Sequence, residues 1–260
     1  MKYRFIDLFA GAGGLSEGFI RAGYEPIAHI EMDHYACDSL KTRAAFHYLK
    51  ENGKLEIYEE YLKNKKEKTD GSWLWNQVPK SVIDSVIQEA IGKETLPSLF
   101  ERVDKLCNGK PVDMIIGGPP CQAYSVAGRA RLGKKIEEDP RNDLYKFYVE
   151  FLKRYKPKMF VFENVLGIFT AKGGEPFRDL IRLVRELDYN IDFREQIASQ
   201  HGVLQKRHRV IIVGWQNKRD TQEDTSYHYP YLLEEQMPYK MMRDLFCDLP
   251  IVKAGEGTLC

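Results

Sequence analysis

The first thirty-odd residues narrow the possible folds more than any other stretch. Tyr3 to Phe9 (YRFIDLF) reads as a buried strand, and Gly11, Gly13 and Gly14 punctuate its end. Leu15 to Ala22 then has helical spacing closed by Gly23, and Pro26 to Ile30 is a second short strand running into Glu31, Met32 and Asp33. His34 to about Glu51 again has helical spacing. Strand, helix, strand and helix in immediate succession imply an α/β protein with a mostly parallel, doubly wound sheet. In such sheets ligands sit beyond the carboxyl ends of the strands.

The rest of the chain extends that frame. Residues 52–110 are expected to form a helical insertion, with a charge-dense face from Glu59 to Asp70, an amphipathic helix from Ser81 to Ile91 and another from Leu99 to Cys107. Val112 to Ile116 is the next strand, and the polar stretch Val126 to Arg141 reads as a long loop. Asp143 to Tyr155 is a helix, Lys158 to Phe162 a strand ending in Glu163-Asn164-Val165, and Pro176 to Leu187 a helix. Ile191 to Ile197 and Val210 to Val213 form a closing pair that makes one strand antiparallel, and Tyr239 to Leu245 is a short helix candidate. The division expected is a main domain over residues 1–215 and a connector over 216–260.

Composition excludes some classes of protein. Hydrophobic residues make up 43% of the chain, enough for a real core, yet no apolar run approaches a membrane span. The five cysteines are scattered without metal-ligand spacing, so neither a disulfide framework nor a metal site is expected, and a reducing cytoplasm suits them. The net charge of +1 gives no bulk attraction for a polyanion, which would have to meet local basic patches.

Four clusters carry chemical meaning. In DLFAGAGGLSEG, glycines let a ligand approach the backbone at a helix N-terminus, although a tight strand–helix turn alone would use them too. Glu31 lies at the end of the second strand, where an acid meets ribose hydroxyls in nucleoside-binding sheets. In GGPPCQAYS, a rigid turn follows a strand and presents Cys121 beside Gln122 and Ser125, ahead of Arg129, Arg131, Lys134 and Lys135. An exposed thiol in an electropositive setting becomes a usable thiolate, whereas a buried one is an inert small hydrophobe. Glu163 would bring a carboxyl group to the same sheet edge, or else cap a helix. In QKRHR, alternation puts Gln205, Arg207 and Arg209 on one strand face, either as a clamp for an anion or base edge or as a solvated edge strand.

Taken together and in this order, the clusters resemble the DNA (cytosine-5) methyltransferase family. DLFAGAGGLSEGF is similar to its first cofactor motif, Glu31-Met32 to its ribose acid and adenine-facing residue, and GGPPCQAYS to its nucleophile motif. Glu163-Asn164-Val165 resembles its ENV motif, Gln205 to Arg209 its QxRxR motif, and Met242 to Pro250 the segment that precedes its target-recognition region. The resemblance implies an S-adenosylmethionine-dependent, Rossmann-like methyltransferase fold. It assigns cofactor contacts to Phe9, Ala10, Gly11, Gly13, Glu31, Met32, Gly118 and Leu144, and catalysis to Cys121, Glu163, Arg207 and Arg209. Pro120, Gln122, Ser125, Asn164 and Gln205 would meet the substrate, a cytosine flipped out of double-stranded DNA, in a restriction–modification setting. Tyr124 stands where the family usually has phenylalanine, and the acid expected before Val112 is not evident, Asp104 being a weak candidate. The family's target-recognition domain and final asparagine motif are not found before Cys260. The expectation is therefore a split enzyme whose second polypeptide carries them, or a truncated one, with the isolated chain methylating DNA poorly. A tRNA-methylating relative and a non-catalytic cofactor- or DNA-binding subunit are the alternatives, while a nucleotide-dependent oxidoreductase would leave PPCQ and QxRxR unexplained.

Overall fold

The computed structural model describes residues 2–63, 71–120, 143–217, 229–230, 246–250 and 252–253. The long loop expected over 126–141 and the helix expected over 239–245 lie outside the described residues.

The opening folds as its pattern requires. Strand β1 spans Arg4–Leu8, helix α1 Gly14–Arg21, β2 Glu25–Glu31 and α2 His34–Glu51. Asp33 caps α2, its carboxylate accepting from the Ala36 N–H at 2.8 Å. Three short helices follow, α3 Leu55–Lys63, α4 Ser72–Trp75 and α5 Lys80–Asp84, and they pack on α2 through a small cluster of Ala45, Leu49, Tyr61, Leu74 and Val78. Among the described residues the insertion is thus helical as far as Asp84.

There the structure departs from the sequence pattern. Instead of a helix over Ser81–Ile91, the chain turns at Ser85 and enters β3, Val86–Gln88, which pairs in parallel with β2. Apolar pairs at Val82-Ile83 and Val86-Ile87 satisfy a helical period, but all four of those residues are β-branched valine or isoleucine in a short run beside an open sheet edge. Unpaired N–H and C=O groups along β2 offer the segment ladder hydrogen bonds that an isolated helix cannot match, and Ile87 ends fully buried.

The remaining elements are α6 Leu96–Cys107, β4 Met114–Gly117, α7 Leu144–Tyr155, β5 Met159–Asn164, α8 Glu175–Glu186, β6 Tyr189–Ile197 and β7 His208–Gln216. The seven strands lie in the order β3-β2-β1-β4-β5-β7-β6, all parallel except β7, which runs antiparallel to both of its neighbours. Strand β7 is internal, so QKRHR does not lead into an edge strand; the edge is β6.

Alternation along the strands builds the two layers. Phe5 packs with Met114 and Ile116 against Leu15 and Phe19 of α1, while Ile6 and Leu8 join the larger core with Leu99 and Val103 of α6 and Tyr148 and Phe151 of α7. The Tyr148 hydroxyl, buried between the central strands, lies 3.0 Å from the carbonyls of both Ile115 and Val161, and burial raises its pKa well above the usual tyrosine value. Ile87→Ala should cost about 2–5 kcal/mol in urea denaturation, as buried isoleucine truncations do. The exposed Gln88→Ala should stay within about 0.5 kcal/mol. Equal losses at the two positions would contradict the alternation of β3.

Candidate active site

Backbone geometry at the carboxyl edge of the sheet decides where functional groups stand. After β1, Phe9 takes a left-handed conformation (φ 57°), and Gly11 (φ 54°) and Gly13 (φ 83°) continue the turn into α1. At Gly13 a side chain is excluded twice over: its φ disfavours one, and a Cβ would lie 2.9 Å from Leu40 Cδ2. Glu31, ending β2, reaches back to this turn. Its carboxylate accepts hydrogen bonds from the backbone N–H groups of Gly11 (2.8 Å), Met32 (2.8 Å) and Asp33 (2.9 Å). Two of the three fall on Oε1 and one on Oε2, so an acceptor position of Oε2 stays open toward a ligand. Met32 is exposed beside it.

The second corner lies where β4, β5 and β7 meet. Gly117 has φ 137°, and a Cβ on it would overlap the Leu8 carbonyl oxygen; a Cβ on Gly118 would overlap the carbonyl oxygen of Glu163. Gly118, expected as a cofactor contact, is thus also required by packing. Asn164, expected at the substrate, is buried and turned inward: its Nδ2 donates to the Pro119 carbonyl at 3.4 Å and its Oδ1 accepts from Val165 N–H. It holds the Pro119-Pro120 turn. Cys121, Gln122 and Ser125 lie outside the described residues.

Glu163 forms an ion pair with Arg209, Nε to Oε1 at 2.6 Å, and Arg207 Nη2 stands 3.9 Å from the same oxygen. Arg209 lies on β7, whereas Arg207 precedes the strand and Gln205 sits in the turn before it, exposed. The expected single strand face therefore holds only Arg209, and the turn brings Arg207 alongside. A cleft of about 430 Å³ opens at the second corner and reaches the turn after β1, lined by Phe9, Ala10, Gly118, Glu163, Arg207 and Arg209 together with Asp7, Gly14 and Gln196. Of the other expected residues, Gly11, Gly13, Glu31, Met32, Pro120, Asn164, Gln205 and Leu144, the first residue of α7, do not line it. Larger hollows of about 660 and 960 Å³ lie elsewhere, so convergence of polar groups, not size, marks this cleft.

Three contributions were not singled out from the sequence. Asp7 is buried at the cleft wall; its Oδ2 lies 3.3 Å from His29 Nδ1, and Oδ1 has no hydrogen-bond partner. A charged residue inside the apolar run YRFIDLF was the legible signal for it. Gln196 had no such signal. Glu89, just beyond β3, donates its N–H to the Glu31 carbonyl at 2.9 Å, which places it beside the end of β2. Asp104, the weak candidate for an acid before Val112, lies away from this end of the sheet. It lies on α6 near Leu106 and Cys107, whose carbonyls accept from Arg4 at the start of β1, the opposite edge of the sheet. Its hydrogen bond with Arg154 lowers its pKa.

The buried thiols of Cys37 and Cys107 are poorly suited to nucleophilic chemistry. Burial, with help from nearby Glu31, pushes Cys37 up to about 11, and burial also raises Cys107. Among the described residues no group of three His, Cys, Asp or Glu side chains could hold a metal ion, and no helix is long and apolar enough to cross a membrane.

A family profile for C-5 cytosine-specific DNA methylases matches residues 3–82 and 85–250. The chain belongs to this family. Its relatives include the type II methyltransferase M.Bpa9945I of Bacillus paralicheniformis, 33% identical over 97% of this chain and 62% of the relative. Another is M1.HphI of Haemophilus parahaemolyticus, 29% identical over the whole chain and 56% of that protein. A solved structure described as a DNA modification methyltransferase encoded within an E. coli prophage superposes with a TM-score of 0.53 at 27% identity, covering 83% of this chain and 47% of that one. The sheet is thus that of the S-adenosylmethionine-dependent methyltransferases, as the resemblance implied. The chain spans a little over half the length of these curated relatives. None of these likenesses supports the second, target-recognising polypeptide expected from the sequence.

Gly118→Ala should destabilise the protein by about 1–3 kcal/mol, because no rotamer change relieves a backbone overlap. Gly14→Ala, where a Cβ meets nothing within 4 Å, should stay within about 0.5 kcal/mol. Thermal denaturation of the two variants side by side checks the difference.

Proposed function

We propose that this chain transfers a methyl group to C5 of a cytosine in double-stranded DNA, with Cys121 as nucleophile. The observation that carries the reading is the pairing of Glu163 with Arg209 and Arg207 in one cleft, one glycine turn away from the Glu31 corner. A carboxyl group beside guanidinium donors is complementary to the N3 and O2 edge of a cytosine.

The cleft also suits S-adenosylmethionine. Asp7 Oδ1 is a buried acceptor without a partner, of the kind that an ammonium group would satisfy, and Glu31 keeps an acceptor position for a ribose hydroxyl. The turn between Phe9 and Gly14 gives close backbone access at the N-terminus of α1, which favours a carboxylate. Bound there, S-adenosylmethionine supplies an electrophilic methyl group.

In this reading the base leaves the duplex, because its ring atoms are out of reach inside the stack. The Cys121 thiolate attacks C6, while Glu163 hydrogen-bonds and protonates N3, so that negative charge does not build up on the ring. Arg209, with Arg207 beside it, donates to O2 and stabilises the charge developing there. Asn164 keeps the Pro119-Pro120 backbone in place ahead of Cys121. Once C5 carries the methyl group, its proton passes to water, the N3 proton returns to Glu163 and the Cys121 thiolate is expelled, which restores the aromatic ring.

A duplex containing 5-fluorocytosine, incubated with S-adenosylmethionine, should trap a covalent adduct, because fluorine in place of the C5 proton blocks elimination. Cys121→Ser should form none, and Glu163→Gln should slow turnover by about 10²–10⁴-fold while leaving cofactor affinity unchanged. An adduct with tRNA and none with DNA would move the reading to RNA. Retained cofactor binding with no adduct on either nucleic acid would leave a binding subunit and overturn the proposal.

A further inference from the structure

Gln196 of β6 is directly opposite Arg209 in the antiparallel β6–β7 pairing. Opposed residues share a sheet face with Cβ atoms about 4.5–5.5 Å apart, and Gln196 lines the same cleft as Glu163, Arg207 and Arg209. Its amide is held at both ends. Oε1 lies 2.8 Å from His201 Nε2, and Nε2 donates to the Tyr229 hydroxyl at 3.4 Å.

Each partner leads back to an arginine. His201 belongs to the connection between β6 and β7, which is closed where Ala198 N–H donates to the Arg207 carbonyl at 2.9 Å. Within it, His201 and Val203 N–H both donate to the Ala198 carbonyl, so the contact of His201 with Gln196 sets how the stretch ending in Arg207 lies on the sheet. Tyr229 is buried, stacks under Arg194 at 4.6 Å, and donates its hydroxyl to the carbonyl of Ile211, two residues beyond Arg209 on β7. Three separate stretches of chain therefore meet at one carboxamide. An amide suits the place because it offers donor and acceptor without charge. A carboxylate at 196 would compete with Glu163 for Arg209, and a hydrocarbon would leave His201 without this partner.

We propose that Gln196 is a positioning residue, which with His201 and Tyr229 holds Arg207 and Arg209 in place at Glu163. The proposal rests on the cytosine reading of the cleft for its effect on rate, but not for its effect on the arginines. Gln196→Leu keeps the side-chain size and removes both polar atoms. In ¹⁵N–¹H spectra of arginine side chains, the Arg209 Nε–H should appear as a hydrogen-bonded, slowly exchanging resonance, assigned by its loss in Arg209→Lys. It should shift toward the solvent-exposed position or broaden in Gln196→Leu, and likewise in His201→Phe, which serves if the leucine variant folds poorly. In methylation assays of the full chain, both variants should lower kcat about tenfold to a hundredfold, as small misplacements of catalytic groups do. The KM for DNA and the cofactor affinity should stay within about twofold. The double variant should be no worse than Gln196→Leu alone, since that substitution already removes the contact that His201→Phe breaks. An unchanged Arg209 resonance together with kcat within about twofold of wild type overturns the proposal. Absence of methylation by the wild-type chain would sink the functional reading instead, and the resonance would still decide the role of Gln196.

Discussion

No side chain fits between the end of β4 and its two neighbours. Gly117 lies against the Leu8 carbonyl and Gly118 against the Glu163 carbonyl, so the backbones of β1, β4 and β5 converge at one point. Everything chemically suggestive in the chain is arranged around that convergence. It brings the glycine turn after β1, Gly117 and Gly118 at the end of β4 and Glu163 on β5 to one cleft. The parallel order of β1, β4 and β5 makes the convergence possible, because all three strands end on the same edge. The antiparallel β7 then enters from the opposite direction and delivers Arg209 to that edge at its start.

Two carboxylates at the carboxyl edge of the sheet are held differently. Glu31 is held by three backbone N–H groups, which orients it without charge partners. Glu163 is held by a guanidinium group, a charge-assisted contact that also presents the arginine's remaining donors to whatever enters. Asp7, between them, has one oxygen satisfied by His29 and the other unsatisfied. A buried acceptor left without a partner is costly in a folded protein, and sites of binding are where such a cost recurs.

Much of this arrangement was legible. The glycine cluster, Glu31, Glu163 and the arginines were singled out because turns and strand ends leave strong local signals, and the structure brings Phe9, Ala10, Gly118, Glu163, Arg207 and Arg209 together. The errors have physical causes. Residues 81–91 carry an apolar period that suits a helix, yet a vacant edge on β2 decided for a strand from Val86, and that edge is nonlocal. Asp104 lay at a plausible distance along the chain before β4, but the crossover places it at the far edge of the sheet. Gln196 sits in a strand with no clean alternation, and nothing in YNIDFREQI distinguishes it from its exposed neighbours.

The sequence by itself determined the βαβ opening and the family, and it named the residues proposed as reactive groups, because each rests on residues close together in the chain. Only the tertiary structure decided which of those groups face one another. Arg209 meets Glu163 because β7 is inserted antiparallel beside β5, and Gly118 must lack a side chain because a backbone 45 residues later in the chain lies against it. Asn164 is turned toward Pro119 by burial, and Gln196 acquires a place in the cleft only through its register with Arg209. Such contacts depend on strand order and register, which are properties of the assembled sheet and not of any single segment.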